Sequence, residues 1–281
     1  MGALNRSGPG TGPIHVGRGP AWARMLAAVL AIGPVAGACV TVTASHNTPG
    51  PAAVVTRALA RTGRARSFRL SWTSWLGPVP VSQYASFSGL VDLAGRRLQG
   101  TWVTVTGVAA ANLEPGRAPT TPSPTDTTMM ICIGVDLWSA AGDAPTVWTY
   151  ERIPAAKVLG GLPVADPGRV LFDLEARLAD VTSDGGQAVD GVESDLYQGV
   201  EPLREPAADR TVPVNAGVRL WIDRSGLVRR LQVEATWSVP PIDTGTGPEP
   251  GGATTETFVA GFSDFGARTD IGPPPTDEVI R

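Results

Sequence analysis

The chain has 281 residues, with 26 prolines, 34 glycines, a single lysine (Lys157) and a formal net charge of −3. Residues 1–38 hold three arginines (Arg6, Arg18, Arg24) and no acid, so the part from Cys39 onward stands at −6. An acidic domain with arginines scattered along it lacks the basic footprint of nucleic-acid binding, and about 240 residues suffice for one core within the size all-β domains reach.

An apolar stretch from Met25 to about Val35 follows the three arginines and runs into Ala36-Gly37-Ala38-Cys39. A basic lead, an apolar run and small residues before a cleavage point make a secretory signal peptide. A cysteine directly after the small residues is where a bacterial lipoprotein signal is cut and the new N-terminus acylated. This reading makes residues 1–38 the leader and Cys39 the lipid-attachment site. Two others stay open. Ala36-x-Ala38 can be an ordinary export site that releases a secreted chain. Met25–Ala44, twenty residues long, matches the span of a bilayer, though Gly33, Pro34 and Gly37 weaken it. All three place the domain outside the cytoplasm, and the first tethers it to the extracytoplasmic face of the cell membrane.

Residues 39–51 form a polar, Pro/Gly-containing tether, and 52–281 a single domain. Ala52–Thr62 sets Val54, Val55, Ala58, Leu59 and Thr62 on one helical stripe, with Gly63 as its C-cap. Strands follow. Phe68, Leu70 and Trp72 alternate with polar residues, as do Ala85, Phe87, Gly89, Val91 and Leu93. Thr101–Thr106, Met129–Trp138 and Thr146–Tyr150 read as further strands, the last two linked by a Gly-Asp turn. Asn112–Thr128, with four prolines and no apolar period, predicts a loop, and Pro240–Thr255 its counterpart.

Asp166-Pro167 opens a second helix as N-cap and first-turn proline. Leu171, Leu174, Leu178 and Val181 form its stripe, and Asp184-Gly185-Gly186 its end. The clearest hairpin pairs Val218, Leu220 and Ile222 with Leu231, Val233, Ala235 and Trp237 across the turn Asp223-Arg224-Ser225-Gly226. Thr257–Phe262 is the last strand. The sum is an α+β domain of eight or nine strands in two runs with a helix before each. An antiparallel sheet of that size must curl, and only its concave face can cover both helix stripes. The expected architecture is a half-barrel around helices.

Chemistry is scarce. His15 and His46 are the only histidines and both precede the domain, so a His-based triad or dyad is impossible within it. Cys132 stands alone, flanked by Ile131 and Ile133, and reads as a buried apolar side chain rather than a reactive thiol or metal ligand. No phosphate-binding glycine loop is present. The carboxylate pairs Asp190/Glu193, Asp264/Asp270 and Asp173/Glu175 read as turn or solvated-face residues rather than a glycosidase pair. For Trp72, Trp102, Trp138, Trp148, Trp221 and Trp237, core filling competes with lining a hollow.

From Asp166-Pro167 and its Leu-rich helix, through Asp190-Gly191…Tyr197 and Leu220-Trp221-Ile222-Asp223…Gly226-Leu227-Val228-Arg229-Arg230, to Phe262-Ser263-Asp264-Phe265-Gly266…Pro273-Pro274-Pro275, the chain resembles the LppX/LprG-type lipoproteins of actinobacteria. The likeness spans about Val54 to Val279. It implies a half-barrel similar to periplasmic lipoprotein carriers, with a hydrophobic cavity for acyl chains and neither catalytic residues nor a cofactor. The expected function is to bind and carry a lipid or glycolipid in the envelope, held at the membrane through acylated Cys39, with an envelope protein as a further partner. The expected cavity lining is Leu70, Trp72, Phe87, Leu174, Leu178, Leu220, Ile222, Leu231 and Val233. The rival is a filled-core interaction or sensor module.

Overall fold

In the computed structural model the described residues are 49–76, 82–108, 125–142, 145–159, 162–206, 211–239, 242–243, 248–249 and 252–280. The expectations for the leader, Cys39 and the tether up to residue 48 lie outside them, as do residues 112–124 of the first proline-rich segment.

The first helix spans Pro51–Gly63, with proline in its first turn and Val55, Ala58, Leu59 and Thr62 buried. That is the stripe the spacing gives. Gly63 does not cap it. The cap is Arg64, whose N–H donates to the carbonyls of Ala60 and Arg61. Gly63 instead makes room: a Cβ there would lie 3.0 Å from the Phe172 ring, so its bareness lets the second helix approach.

Strands β1 (Ser67–Leu76), β2 (Ser82–Asp92), β3 (Arg97–Val108), β4 (Thr125–Ile133), β5 (Asp136–Ala141) and β6 (Trp148–Arg152) form a meander. A short pair follows, β7 (Val158–Leu159) and β8 (Leu162–Pro163), and then the second helix, Arg169–Arg177. The second run is β9 (Ala179–Val189), β10 (Val192–Pro206), β11 (Thr211–Asp223) and β12 (Val228–Val239). After it come β13 (Ile242–Asp243), β14 (Pro248–Glu249), β15 (Gly252–Ser263) and β16 (Val279–Ile280).

One sheet of twelve strands results, in the order β16-β6-β5-β4-β3-β2-β1-β15-β12-β11-β10-β9. It is open and curled, and antiparallel throughout except where β16 runs parallel to β6. β15 joins the two meanders by pairing with β1 on one side and β12 on the other.

The expected eight or nine strands are therefore too few, for three physical reasons. Met129–Trp138 is not one strand: Gly134, at φ 61°, turns the chain between β4 and β5. The second helix is shorter than its stripe. It starts after Gly168 rather than at Asp166, and Leu178 is already extended at φ −67°, ψ 126°. Val181 and Asp184-Gly185-Gly186 therefore belong to β9 rather than to the helix and its end. β9 is exposed along nearly its whole length and so carries no apolar alternation to read. Finally, Val279–Ile280 adds β16 at the β6 edge, two residues too few to show a period. Thr125–Thr128 and Gly252–Thr255, both expected in loops, lengthen β4 and β15 without adding strands.

The inner face carries one continuous core. Phe68, Leu70 and Trp72 of β1, Phe87 and Val91 of β2, and Phe258, Ala260 and Phe262 of β15 share it with Val55 and Leu59 of the first helix and Leu171 and Leu174 of the second. Ile153, Leu162, Val164 and Ala165, between β6 and the second helix, complete the cover. On the outer face a smaller cluster of Ile131, Ala140 and Trp148 lies under Ile271 of the C-terminal segment, whose carbonyl accepts from Arg97 Nη1 at 3.0 Å.

Candidate functional site

The two helices lie over the concave face with a definite direction. The end of the sheet that holds the turns at 93–96, 190–191 and 224–227 is the closed end. There Val228 N–H donates to Thr62 Oγ1 at 2.9 Å, and a Cβ on Gly168 would meet Leu93 Cδ2 at 2.8 Å. From this end the second helix climbs until Arg177 meets Glu201 and Leu178 packs at Gly199. Beyond that level β10 continues to Pro206 and β11 back from Thr211, so the sheet outruns its helices by about 16 Å at ~3.3 Å per residue.

Of the nine residues expected to line a cavity, Leu70, Trp72, Phe87, Leu174, Leu220, Ile222, Leu231 and Val233 fall into this single cluster at 0–4% exposure. Leu178 is partly buried against it. Trp72 stacks on Phe258 with centroids 4.8 Å apart and planes 14° from parallel. Trp102 is half-buried, its Nε1–H donating to Thr104 Oγ1 at 3.0 Å. Trp138 and Trp148 belong to the outer cluster. Trp221, on the face of β11 away from Leu220 and Ile222, is buried there: Nε1–H donates to Gln187 Oε1 at 2.8 Å and Arg230 lies over its ring. The side chain of Trp237 lies outside the described residues.

Sequence reasoning missed two inward-facing carboxylates. Ladder register places Glu256, Ala235, Ala216 and Glu201 in one row across β15, β12, β11 and β10. Both glutamates are buried, and they alternate onto the face of Phe258 and Tyr197 respectively. Three strand spacings of ~4.8 Å put them about 14 Å apart, with only two methyl groups between. The interior thus changes character, from mostly apolar at the closed end to a row holding two buried glutamates where the helical cover stops. For Glu256 the signal was present in the Glu256-x-Phe258-x-Ala260-x-Phe262 alternation.

Arg177 Nη2 lies 2.8 Å from Glu201 Oε1, a charge contact that lacks the alignment of a hydrogen bond. Burial raises the Glu201 carboxyl above its ordinary range, Arg177 opposes this, and Asp173 adds to it. A carboxyl held high keeps its proton better folded than unfolded. Its stabilising contribution is complete below the ordinary carboxyl range and is lost as pH rises through the raised value. Glu201→Gln is therefore expected to remove a fall in stability with rising pH, measured by denaturant midpoints across the acidic range. An unchanged pH profile would contradict the burial argument.

The remaining acids serve structure. Asp264 pairs with Arg69 at 3.2 Å, Glu193 with Arg224, and Asp173 with Arg169 one helical turn away. Asp190 and Asp264 take positive φ in turns. Asp223 holds its hairpin by accepting from Ser225 Oγ, Leu227 N–H and Arg229 Nε. Among the described residues no group of His, Cys, Asp and Glu is placed to hold a metal ion, and no helix is long and apolar enough to cross a membrane.

Cys132 is fully buried. Burial first, and Asp136 second, push its thiol up to about 11. It should resist maleimide at neutral pH in the native state and react once denatured, a contrast readable by mass spectrometry. Rapid native labelling at Cys132 would show that the wall around it opens.

The arrangement is an open, curled sheet with an apolar concave face, two short helices on it and two buried glutamates, Glu201 and Glu256, near its uncovered end. No family model and no curated protein matches the chain. Among solved structures it is similar to LprF from Mycobacterium bovis, at 15% identity and TM-score 0.44, over 80% of this chain and 96% of that one. It is similar also to the lipoprotein LppX from Mycobacterium tuberculosis, at 11% identity and TM-score 0.42, over 79% and 97%. A putative outer membrane lipoprotein-sorting protein domain from Vibrio parahaemolyticus follows at 10% identity and TM-score 0.23, over 75% and 92%.

Proposed function

We propose that this is an exported envelope protein, anchored through acylated Cys39, that binds and carries a lipid or glycolipid between its helices and the concave face, without catalysis. The observation that supports this is the continuous apolar inner face, covered by two short helices and the segment from Ile153 to Ala165. Helices of thirteen and nine residues are about 20 and 14 Å long and ~10 Å wide. Together they lie over the middle of a twelve-stranded sheet whose inner-face residues are buried.

The expected lining is closed to solvent, so a guest enters by moving the second helix. That helix has no side-chain N-cap and is held at its far end by the Arg177–Glu201 contact. Each methylene buried contributes about 0.8 kcal/mol, less the side-chain contacts it displaces. The filled-core interaction module is the second reading, favoured by the near-zero exposure of the same side chains.

Native mass spectrometry of the protein purified in mild detergent from its own envelope separates the two. The carrier gives a mass increment that organic extraction removes and that identifies as intact lipid. A clean apo mass together with a lipid-free extract would refute it.

A further inference from the structure

We infer that the closed end of the half-barrel is a docking surface for an anionic phospholipid membrane. This goes beyond cargo binding and does not depend on it. Arginines far apart in the chain converge here. On the first helix, Arg57, Arg61 and Arg64 stand at i, i+4 and i+7, opposite the buried Val55, Ala58 and Leu59, and the helix carries no acid.

Backbone geometry brings the others alongside. The Arg66 carbonyl accepts from Leu93 N–H at 3.0 Å, which sets Arg66 beside the turn that holds Arg96. Ser67 Oγ donates to the Ala267 carbonyl at 2.5 Å, which sets Arg268 next to both. Arg61 reaches the other hairpin: a Cβ on Gly226 would be 3.7 Å from its Nη1. From the β2–β3 turn to the β11–β12 turn the band is roughly 20 Å wide, about four strand spacings.

These six arginines are exposed, and none joins a salt bridge among the described residues. By contrast Arg69, Arg224 and Arg229 are neutralised by Asp264, Glu193 and Asp223. The other carboxylates at this end are Asp92, which accepts from Gly95 N–H, Asp136, which accepts from Tyr150 Oη–H, Asp166 beside Gly168, and exposed Asp190 and Asp270, five against the six arginines. The local balance stays positive on a domain that is acidic overall.

A second observation selects a bilayer over a soluble polyanion. Phe172 is 49% exposed, one of three large apolar side chains so exposed among the described residues, and its ring lies against Gly63 in the midst of this band. An aromatic ring among arginines matches the bilayer interface, where the ring enters the headgroup layer and the cations meet anionic lipid. A nucleic acid would stack a base on the ring as well, but the domain is acidic overall and lacks the continuous basic groove such binding needs. The first helix begins about 20 Å from this end, and residues 39–50 extend up to roughly 40 Å, so anchoring at Cys39 permits the pose.

The test uses the full chain with Cys39→Ser, reconstituted in vesicles of phosphatidylcholine alone or with phosphatidylglycerol. A fluorophore is placed at Ala94→Cys on the closed end or at Ala179→Cys on the opposite end, Cys132 being buried. Nitroxide-headgroup lipid is expected to quench the label at 94 more than at 179, only with phosphatidylglycerol, and less in high salt. Each arginine contributes about fivefold to the docked population. Arg64→Ala with Arg66→Ala should therefore lower the docking constant roughly 25-fold. Phe172→Ser should lower it while leaving the salt dependence unchanged, and melting curves of each variant report its fold. Equal quenching at the two positions, or quenching indifferent to phosphatidylglycerol, overturns the proposal. So does a label that responds to heparin and not to vesicles, which would assign the surface to a polyanion.

Discussion

Gly100→Ala is expected to destabilise the protein by about 3 kcal/mol or more, at the top of the range for single substitutions. Gly89 and Gly100 face each other across β2 and β3, and the Phe87 ring lies over both. A Cβ on Gly100 would stand 2.3 Å from the Ser88 carbonyl oxygen, 2.6 Å from Phe87 Cζ and 2.7 Å from Gly89 Cα. Two of those three atoms are backbone and cannot rotate away. The ring could, but only into Leu98, Val91 and the other members of the core. The matching positions at Gly89 are equally closed, with 2.2 Å to the Gln99 oxygen. Urea midpoints for Gly100→Ala, at unchanged slope, measure the loss. A loss under ~1 kcal/mol would mean the Phe87 wall yields freely.

Trp72→Ala carries the second large effect and bears directly on function. Trp72 is 2% exposed and stacks on Phe258, so removing its ring from a filled core should cost about 3–5 kcal/mol. The carrier reading modifies this in a measurable way. If the ring borders space that a guest occupies, delipidated protein loses far less than lipid-loaded protein, because the missing contacts belonged to the guest. Equal losses of ~3–5 kcal/mol in both preparations assign Trp72 to a filled core and count against the carrier. Leu231→Ala, a fully buried neighbour in β12, is the companion measurement.

The closed packing and the open cover describe one design from two sides. A concave wall with side chains at nearly zero exposure is closed at rest. The second helix, nine residues long, is held by Leu171 and Leu174 in the core and by the Arg177–Glu201 contact, so displacing it uncovers both leucines.

Where residues repeat with a clear period, the fold was legible from the chain alone. Val55, Ala58, Leu59 and Thr62 gave the first helix, and the alternations through Leu70 and Trp72, through Leu220 and Ile222, and through Leu231 and Val233 gave strands and their inner faces. The burial of Cys132 and the turn roles of Asp190 and Asp264 were legible too, since small apolar and turn-forming side chains act locally. β9 was not, because an edge strand wet on both sides has no period. The same lack of contrast let Val181 pass for a fourth turn of helix. One curled sheet was expected, but no local pattern says that β15 returns to pair with β1, so which strands adjoin was settled only by tertiary structure. Nor could spacing reveal that Arg57, Arg66, Arg96 and Arg268 share one end, or that Glu201 and Glu256 share one row. Sequence fixes what a residue prefers over the few neighbours it touches along the chain; which charges meet depends on contacts between segments up to 200 positions apart, as between Ser67 and Ala267, and those exist only once the sheet has closed its register.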